Sequence, residues 1–270
     1  MPQRTVWHRT RDMGRLFHEF GPGMQPLRFL WSLAHGKSHD GTMLFRVRSL
    51  GHQPISVRPG TSDLVVLYET FGASYDAPPS ILSKEKATRI WDLGANIGLT
   101  VALYAAAFPL ARISAVELDA ANAELARTNT ITFGSRCEII TGAVWFEDGE
   151  IEYVIDAGME HGAHVTEAAN SPTRNSRAWS LNTLFKNDDL IDFVKMDIEG
   201  AEALVLTRNT EWSTKVACLK VECHSPYTVA QAVADLEPLG YEVEQESRHW
   251  ASVFAIKPFL VGQSPTLPSH

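Results

Sequence analysis

From residue 89 onward, short apolar runs alternate with longer segments whose apolar positions recur at helical spacing. Arg89–Leu93, Arg112–Glu117, Cys137–Thr141, Phe193–Asp197 and Ala217–Glu222 read as buried strands. Leu99–Phe108, stopped by Pro109, then Ala120–Asn129, Ala201–Thr207 and Val229–Leu239, closed by Gly240, read as helices. This alternation predicts an α/β fold, a doubly wound sheet covered by helices on both faces. Tyr241–Glu244 and Ser252–Ile256 lie too close together for a helical crossover, so they are expected to pair as an antiparallel hairpin at the sheet edge. Before residue 55 the pattern is mixed, with a break at Gly21-Pro22-Gly23, a short helix over Leu27–Leu33 and a short strand over Met43–Val47. Residues 156–180, rich in small and polar types without periodicity, are expected to form a long loop that serves as a lid.

The expected organisation is an N-terminal cap over residues 1–80, a single catalytic-size domain over 81–260 and a flexible tail over 261–270. With 44% hydrophobic and 21% charged residues, the chain of 270 has a globular balance. Three cysteines in apolar stretches cannot form a disulfide framework and point to a reducing compartment, with the cytoplasm as the expected location. No apolar run reaches the roughly 18–20 residues a membrane span needs, so no integral membrane association is expected. Net charge is −8, yet residues 1–60 carry nine Lys/Arg against three Asp/Glu, leaving the remainder with a surplus of fourteen negative charges. That balance argues against a nucleic-acid partner and leaves a basic leader that is either plainly solvated or attractive to an anionic substrate or surface.

The candidate chemistry begins at Trp91-Asp92-Leu93-Gly94-Ala95-Asn96-Ile97-Gly98, which ends a strand and opens a helix. A doubly wound sheet binds nucleotide-like ligands there, beyond the carboxyl ends of its strands. A dinucleotide fingerprint has a second glycine where Asn96 stands, and Asp92 would repel a phosphate, so pyrophosphate and an NAD-dependent oxidoreductase are disfavoured. Glu117, at the end of the next strand, can accept hydrogen bonds from both hydroxyls of a ribose. Adenosine with a positive charge and no phosphate describes S-adenosyl-L-methionine.

The strings WDLGANIGLT, VELD, VKMDIEGAE and VECH, with the upstream ISVRPGTSDLVVLYETFGASYD, resemble the FkbM-type S-adenosylmethionine-dependent methyltransferases over roughly residues 55–225. The resemblance implies a seven-stranded class I methyltransferase sheet and O-methylation of a small-molecule, sugar or glycolipid hydroxyl. It places Asp92, Gly94, Asn96 and Gly98 in the cofactor loop, Glu117 on the ribose, and Asp197, Glu199, Gly200 and Glu202 in a second acidic motif. Leu118 replaces the family's usual proline, and Asn182 its usual aspartate. The expected cofactor-binding set is Asp92, Gly94, Ala95, Asn96, Gly98, Glu117, Leu118, Ala143, Asp197 and Tyr75.

For the transfer itself, an alcohol acceptor must lose its proton, which calls for a base. His224 is the expected base, with Asp197 and Glu222 as the other catalytic candidates. Glu222 and His224 are separated by one residue and share a face if their strand continues. Helix capping is the plain alternative for Glu202, and a backbone-satisfied imidazole for His224. His161 and His164 fall in the expected lid, and Trp145, Trp179 and Trp250 are candidates to stack on an acceptor. The acids with His224 are metal-type donors at loose spacing, and no metal-ligand set is assigned. The Asn/Asp-Pro-Pro-aromatic tetrapeptide of nucleic-acid methyltransferases is missing; Ala77-Pro78-Pro79-Ser80 does not match it. N-methylation and a catalytically silent cofactor-binding module stay open.

Overall fold

The computed structural model describes residues 6–35, 41–155, 163–164 and 173–261. Two helices, α1 (Val6–Phe20) and α2 (Gln25–His35), lead into an antiparallel hairpin of β1 (Met43–Val47) and β2 (Gln53–Val57), then a short α3 (Asp63–Leu67) continued by a wider helical turn, Tyr68–Ala73. The sequence reading missed α1, whose apolar residues Met13, Leu16, Phe17 and Phe20 keep helical spacing but are interrupted by Arg, His and Asp.

The strand–helix alternation then builds the main sheet: β3 (Arg89–Leu93), α4 (Leu99–Ala107), β4 (Arg112–Glu117), α5 (Ala120–Thr130) and β5 (Cys137–Thr141). A second sheet follows, from β6 (Ala143–Trp145), β7 (Gly149–Ile155), β8 (Ala163–His164) and β9 (Thr173–Ser180), in the order β6-β9-β7-β8. The chain returns through α6 (Leu181–Leu184), β10 (Phe193–Met196), α7 (Glu202–Thr207), β11 (Cys218–Glu222), α8 (Val229–Leu236), β12 (Glu242–Gln245) and β13 (Ser252–Ile256). The main sheet has seven strands in the order β12-β13-β11-β10-β3-β4-β5. Neighbours from β11 to β5 are parallel, while β13 runs antiparallel to both β11 and β12, which is the expected edge hairpin. Chain order reverses between β3 and β10, so the switch-point crevice opens at the carboxyl ends of these two strands.

One expectation fails at 156–180. Thr173–Ser180 is not loop but strand β9, paired antiparallel with β7 from Gly149↔Ala178 to Val154↔Thr173. Its first five residues include no buried side chain, so its pairing rests on backbone hydrogen bonds that leave no apolar period in the sequence. His161 lies outside the described residues, as does most of the expected tail, and His164 is described by its backbone alone.

Each face of the main sheet has its own core. Trp91, Leu93, Val194, Met196, Leu219 and Val221 pack under α7 and α8, while Ile90, Ile113, Ala115 and Phe193 pack under Val101, Tyr104 and Ala105 of α4. The N-terminal elements share a third cluster with α4, joining Leu16, Phe29, Phe45, Ile55 and Leu67 to Ile97, Leu99 and Ala102. A buried side chain rivets that junction. Asn129 of α5 accepts from the Ser56 N–H at 2.6 Å and donates through Nδ2 to the carbonyls of Ser56 (3.0 Å) and Ile97 (2.8 Å). Truncation would strand these backbone groups without partners in a dry place. Asn129→Ala is therefore expected to lower stability by about 1–3 kcal/mol, read as a reduced urea midpoint at unchanged m-value.

Candidate active site

The crevice is shaped first by two glycines that no other residue can replace cheaply. Gly94 has φ +87°, and a Cβ there would sit 1.7 Å from the Asp197 carbonyl oxygen. That contact lets the turn after β3 press against the end of β10. Gly98 has φ +78° and abuts the Ala126 backbone, bringing α4 against α5. Between them Asn96 takes φ +48°, a conformation its short polar side chain tolerates, and its Oδ1 accepts from the Ile97 N–H at 2.8 Å. The turn is sewn to β4: the N–H groups of Gly94 and Ala95 both donate to the Val116 carbonyl, at 2.9 and 3.0 Å.

Glu117 closes this stitching. Oε2 accepts from the Asn96 N–H at 2.7 Å and Oε1 from the Asp119 N–H at 2.9 Å, fixing the carboxylate at the mouth of the crevice. Burial pushes its pKa up to about 7 against the pull of those two backbone donors. Asp119 in turn caps α5, accepting from the Ala121 and Asn122 N–H groups.

A cavity of about 310 Å³ lies here, lined by Gly94, Asn96, Glu117, Leu118, Ala143 and Asp197 of the expected set. Val144, Trp145 and Ile151 of the second sheet form one wall, and Glu199, Gly200, Leu204, Ser225 and Pro226 stand on the other side. Gly142 permits the step from β5 into that wall, because a Cβ there would meet the Trp179 indole at 2.7 Å. Four residues of the expected set do not line the cavity. Ala95 and Gly98 act through backbone and packing, and Asp92 is fully buried behind the turn. Tyr75 sits toward β11, its carbonyl accepting from Lys220 Nζ at 2.6 Å and its ring 4.7 Å from that of His249.

The sequence reading missed two lysines that organise the floor. Lys195, nearly fully buried on β10, places Nζ 3.4 Å from Asp92 Oδ1, 3.2 Å from Asp197 Oδ2 and 3.4 Å from the Gly94 carbonyl. Burial would lower its pKa, but the charges of Asp197, Asp92 and Asp76 outweigh it and raise the pKa well above that of a free lysine. Lys220 on β11 holds Asp76 at 2.5 Å. The available signal was the pattern itself: a lysine inside a buried strand, two residues from an acid on the same face, needs a carboxylate to neutralise it.

Asp92 bears on the cofactor. Both its oxygens are buried without a hydrogen-bond partner, and burial lifts its pKa to about 6 despite Lys195. A carboxylate so placed behind the glycine turn fits a cationic ligand group, reached directly or through water, and disfavours a phosphate.

At the other end of the crevice a histidine is ringed by acids. His224 Nδ1 lies 2.8 Å from Oε1 of fully buried Glu202, whose other oxygen accepts from the Gly200 N–H at 2.9 Å. Its Nε2 faces Glu199 at 3.4 Å, Asp197 at 3.6 Å and Glu222 at 3.8 Å. Burial would lower the imidazole pKa, but the Glu202 hydrogen bond and the surrounding carboxylates carry it up to about 9. Glu222 also lies 3.7 Å from His249 Nε2, and burial with the charges of Asp197 and Asp76 pushes its pKa up to about 8. Donor atoms of Asp197, Glu199 and His224 come within 4.8 Å of one another. Thus the structure brings together all three residues expected to be catalytic, and Glu202 does more than cap a helix. Trp145 lines the cavity, Trp179 backs Gly142, and Trp250 is exposed.

A seven-stranded sheet with this strand order, a glycine turn at its switch point and an acid at the end of the neighbouring strand define a class I methyltransferase. The profile described as Methyltransferase FkbM domain matches residues 92–245, more than half of the chain, and the chain belongs to that family. Its methyl donor is S-adenosyl-L-methionine. No curated protein matches it. Among solved structures it is similar to the precorrin-6y C5,15-methyltransferase of Geobacter metallireducens GS-15, at 16% identity over 66% of this chain and 82% of that one, with a TM-score of 0.40. It is also similar to the fibrillarin pre-rRNA processing protein of Methanococcus jannaschii, at 13% identity over 82% and 84% of the two chains and a TM-score of 0.42. The N-terminal domain of EvdMO1, crystallised in the presence of SAH and D-fucose, shares 18% identity over 63% of this chain and 74% of that one, with a TM-score of 0.37.

Replacing Glu117 by Ala should weaken S-adenosylhomocysteine binding by about 1–3 kcal/mol in isothermal titration. Because its pKa is raised to about 7, the carboxylate is lost as pH falls through 7. Wild-type affinity should accordingly strengthen as pH rises through neutrality and level off above it, whereas Glu117→Gln should be weak and flat over the same range.

Proposed function

We propose that the enzyme transfers the methyl group to a hydroxyl oxygen of a small-molecule or saccharide acceptor, with His224 as general base and Asp197 and Glu222 bounding the acceptor. The orientation of His224 carries this reading. Buried Glu202 holds Nδ1, which leaves Nε2 directed toward Asp197 and Glu199, two residues of the cavity wall. When bound, S-adenosyl-L-methionine supplies a methyl already activated by its sulfonium, so the protein's work is alignment, exclusion of water and removal of one proton. Asp92, behind the Gly94–Gly98 turn, would act on the ammonium end through its charge and through water, while Glu117 would hold the ribose and Leu118 and Ala143 the adenine.

With Nδ1–H donating to Glu202, neutral His224 takes the acceptor's O–H proton at Nε2. The resulting imidazolium is stabilised by Glu202, Asp197 and Glu199. A pKa of about 9 makes this imidazole a stronger base than a free one, while leaving only a minor fraction neutral at pH 7. The same surplus of carboxylates supports a second reading, an amine acceptor attracted as its cation, deprotonated by neutral His224 and then methylated on nitrogen as the sulfonium–methyl bond breaks. Matched hydroxyl and amine acceptors in a labelled-donor assay separate the two.

His224→Ala and His224→Gln should each lower kcat by roughly 10²–10⁴-fold with S-adenosylhomocysteine affinity little changed. In the wild type, kcat/KM should climb about tenfold per pH unit below 9 and level off above it, because the neutral imidazole is the active form. The Gln variant should lack that limb, and near-normal turnover in it would reduce His224 to an acceptor-holding role. EDTA should leave turnover intact. Strict dependence on a divalent cation would instead make Asp197, Glu199 and His224 its ligands.

A further inference from the structure

Helix α2 is inverted for a surface helix. Phe29 and Ser32 are its buried residues, while Leu27, Leu30, Trp31 and Ala34, at spacings i, i+3, i+4 and i+7, face outward as one apolar stripe. Leu27 is 57% exposed and Trp31 56%, and Met24 just before the helix is 65% exposed. Single exposed leucines need no explanation, but five of the twelve large apolar side chains exposed among the described residues fall between Met24 and Leu33.

The segment that carries the stripe is basic. Arg11, Arg28, Arg46 and Arg48 are exposed, with the Arg28 guanidinium 5.9 Å from the Phe45 ring centroid beneath the helix. Among the described residues before Val57 the carboxylates are Asp12, which is buried, and Glu19, which accepts from the Ser49 N–H at 2.8 Å. Among the described residues before Val57 no exposed acid therefore offsets the arginines, whereas the chain beyond residue 60 carries an excess of fourteen negative charges.

We propose that this face docks the protein peripherally on an anionic lipid bilayer. Leucines and a tryptophan enter the boundary between headgroups and acyl chains, the guanidiniums pair with lipid phosphates, and the acidic bulk of the chain points away. A second copy of the chain fits the face less well, since a symmetric pairing would set arginines against arginines. At 11 residues, roughly 16 Å long, α2 is too short to span a bilayer and lies in its plane. No helix among the described residues is long and apolar enough to cross.

The test is co-sedimentation of the full chain with phosphatidylcholine vesicles, with and without phosphatidylglycerol. The protein should pellet with the anionic vesicles, far less with neutral ones, and less as salt is raised. The double substitution Leu27→Ser/Trp31→Ser should lower the partition coefficient about tenfold or more, with melting temperature and S-adenosylhomocysteine affinity unchanged. Independently of that variant's folding, brominated lipid in the anionic vesicles should quench wild-type tryptophan emission, and Trp31→Phe should remove most of the quenching. Failure to pellet with anionic vesicles, absence of quenching, or a solution dimer that the double substitution dissociates would each overturn the proposal.

Discussion

The active site depends on one buried cation. Lys195 stands on the central part of the sheet with its ammonium between Asp92 at the end of β3 and Asp197 at the end of β10, the two strands that flank the switch point. Two carboxylates so close beneath a shared turn would repel each other, and burying either alone costs several kcal/mol. The lysine's single positive charge is shared between the two, and its ammonium also reaches the Gly94 carbonyl, so the strand ends and the glycine turn are tied at one point. The contact of Gly94 with the Asp197 backbone is the steric half of the same constraint. The glycine turn and the two acids at the strand ends are thereby set by a single arrangement.

Charge is distributed unevenly around that pivot. Behind the turn, Asp92 has only the Lys195 ion pair at 3.4 Å to offset its burial, and neither oxygen has a hydrogen-bond partner among the described residues. In front, four carboxyl groups surround His224, so the imidazole, when protonated, is the group that makes the acidic cage tolerable. The consequence for the fold has a definite sign. Because the folded pKa of His224 is raised, its cation stabilises the protein fully below the ordinary histidine range near 6.5, and that contribution is lost as pH rises through about 9. Loss of stability and gain of basicity thus fall in the same alkaline window, and an enzyme of this design works against its own cage.

The main sheet was legible because its strands are short apolar runs separated by helices, and the starts of β3, β4, β5, β10 and β13 fall where the pattern puts them. The glycine turn and Glu117 were legible for the same reason, since both are fixed by place at strand ends. The wall of the cavity was not. Strand β9 reads Thr173-Arg174-Asn175-Ser176-Arg177 through most of its length, and only its pairing to β7 makes it a strand. Lys195 and Lys220 escaped notice because a motif reading follows the acids of VKMD and VECH and passes over the cations beside them. Buried charge shows itself in sequence only when the strand is already known to be covered on both faces.

The N-terminal layer is tied to this chemistry through hydrogen bonds as well as packing. Arg15 of α1 donates to the Gly72 carbonyl at 3.1 Å and to Ser74 Oγ at 3.0 Å, clamping the turn that ends in Tyr75 and Asp76. Those two residues hold Lys220 on β11, two positions before Glu222. Along this path α1 acts on the strand that carries Glu222 and leads into His224, with no contact to the donor cavity itself. The N-terminal layer and the acidic centre are therefore joined by a continuous chain of hydrogen bonds. That coupling gives the N-terminal layer a role its composition alone does not reveal: it fixes the segment bearing Tyr75 and Asp76 against β11.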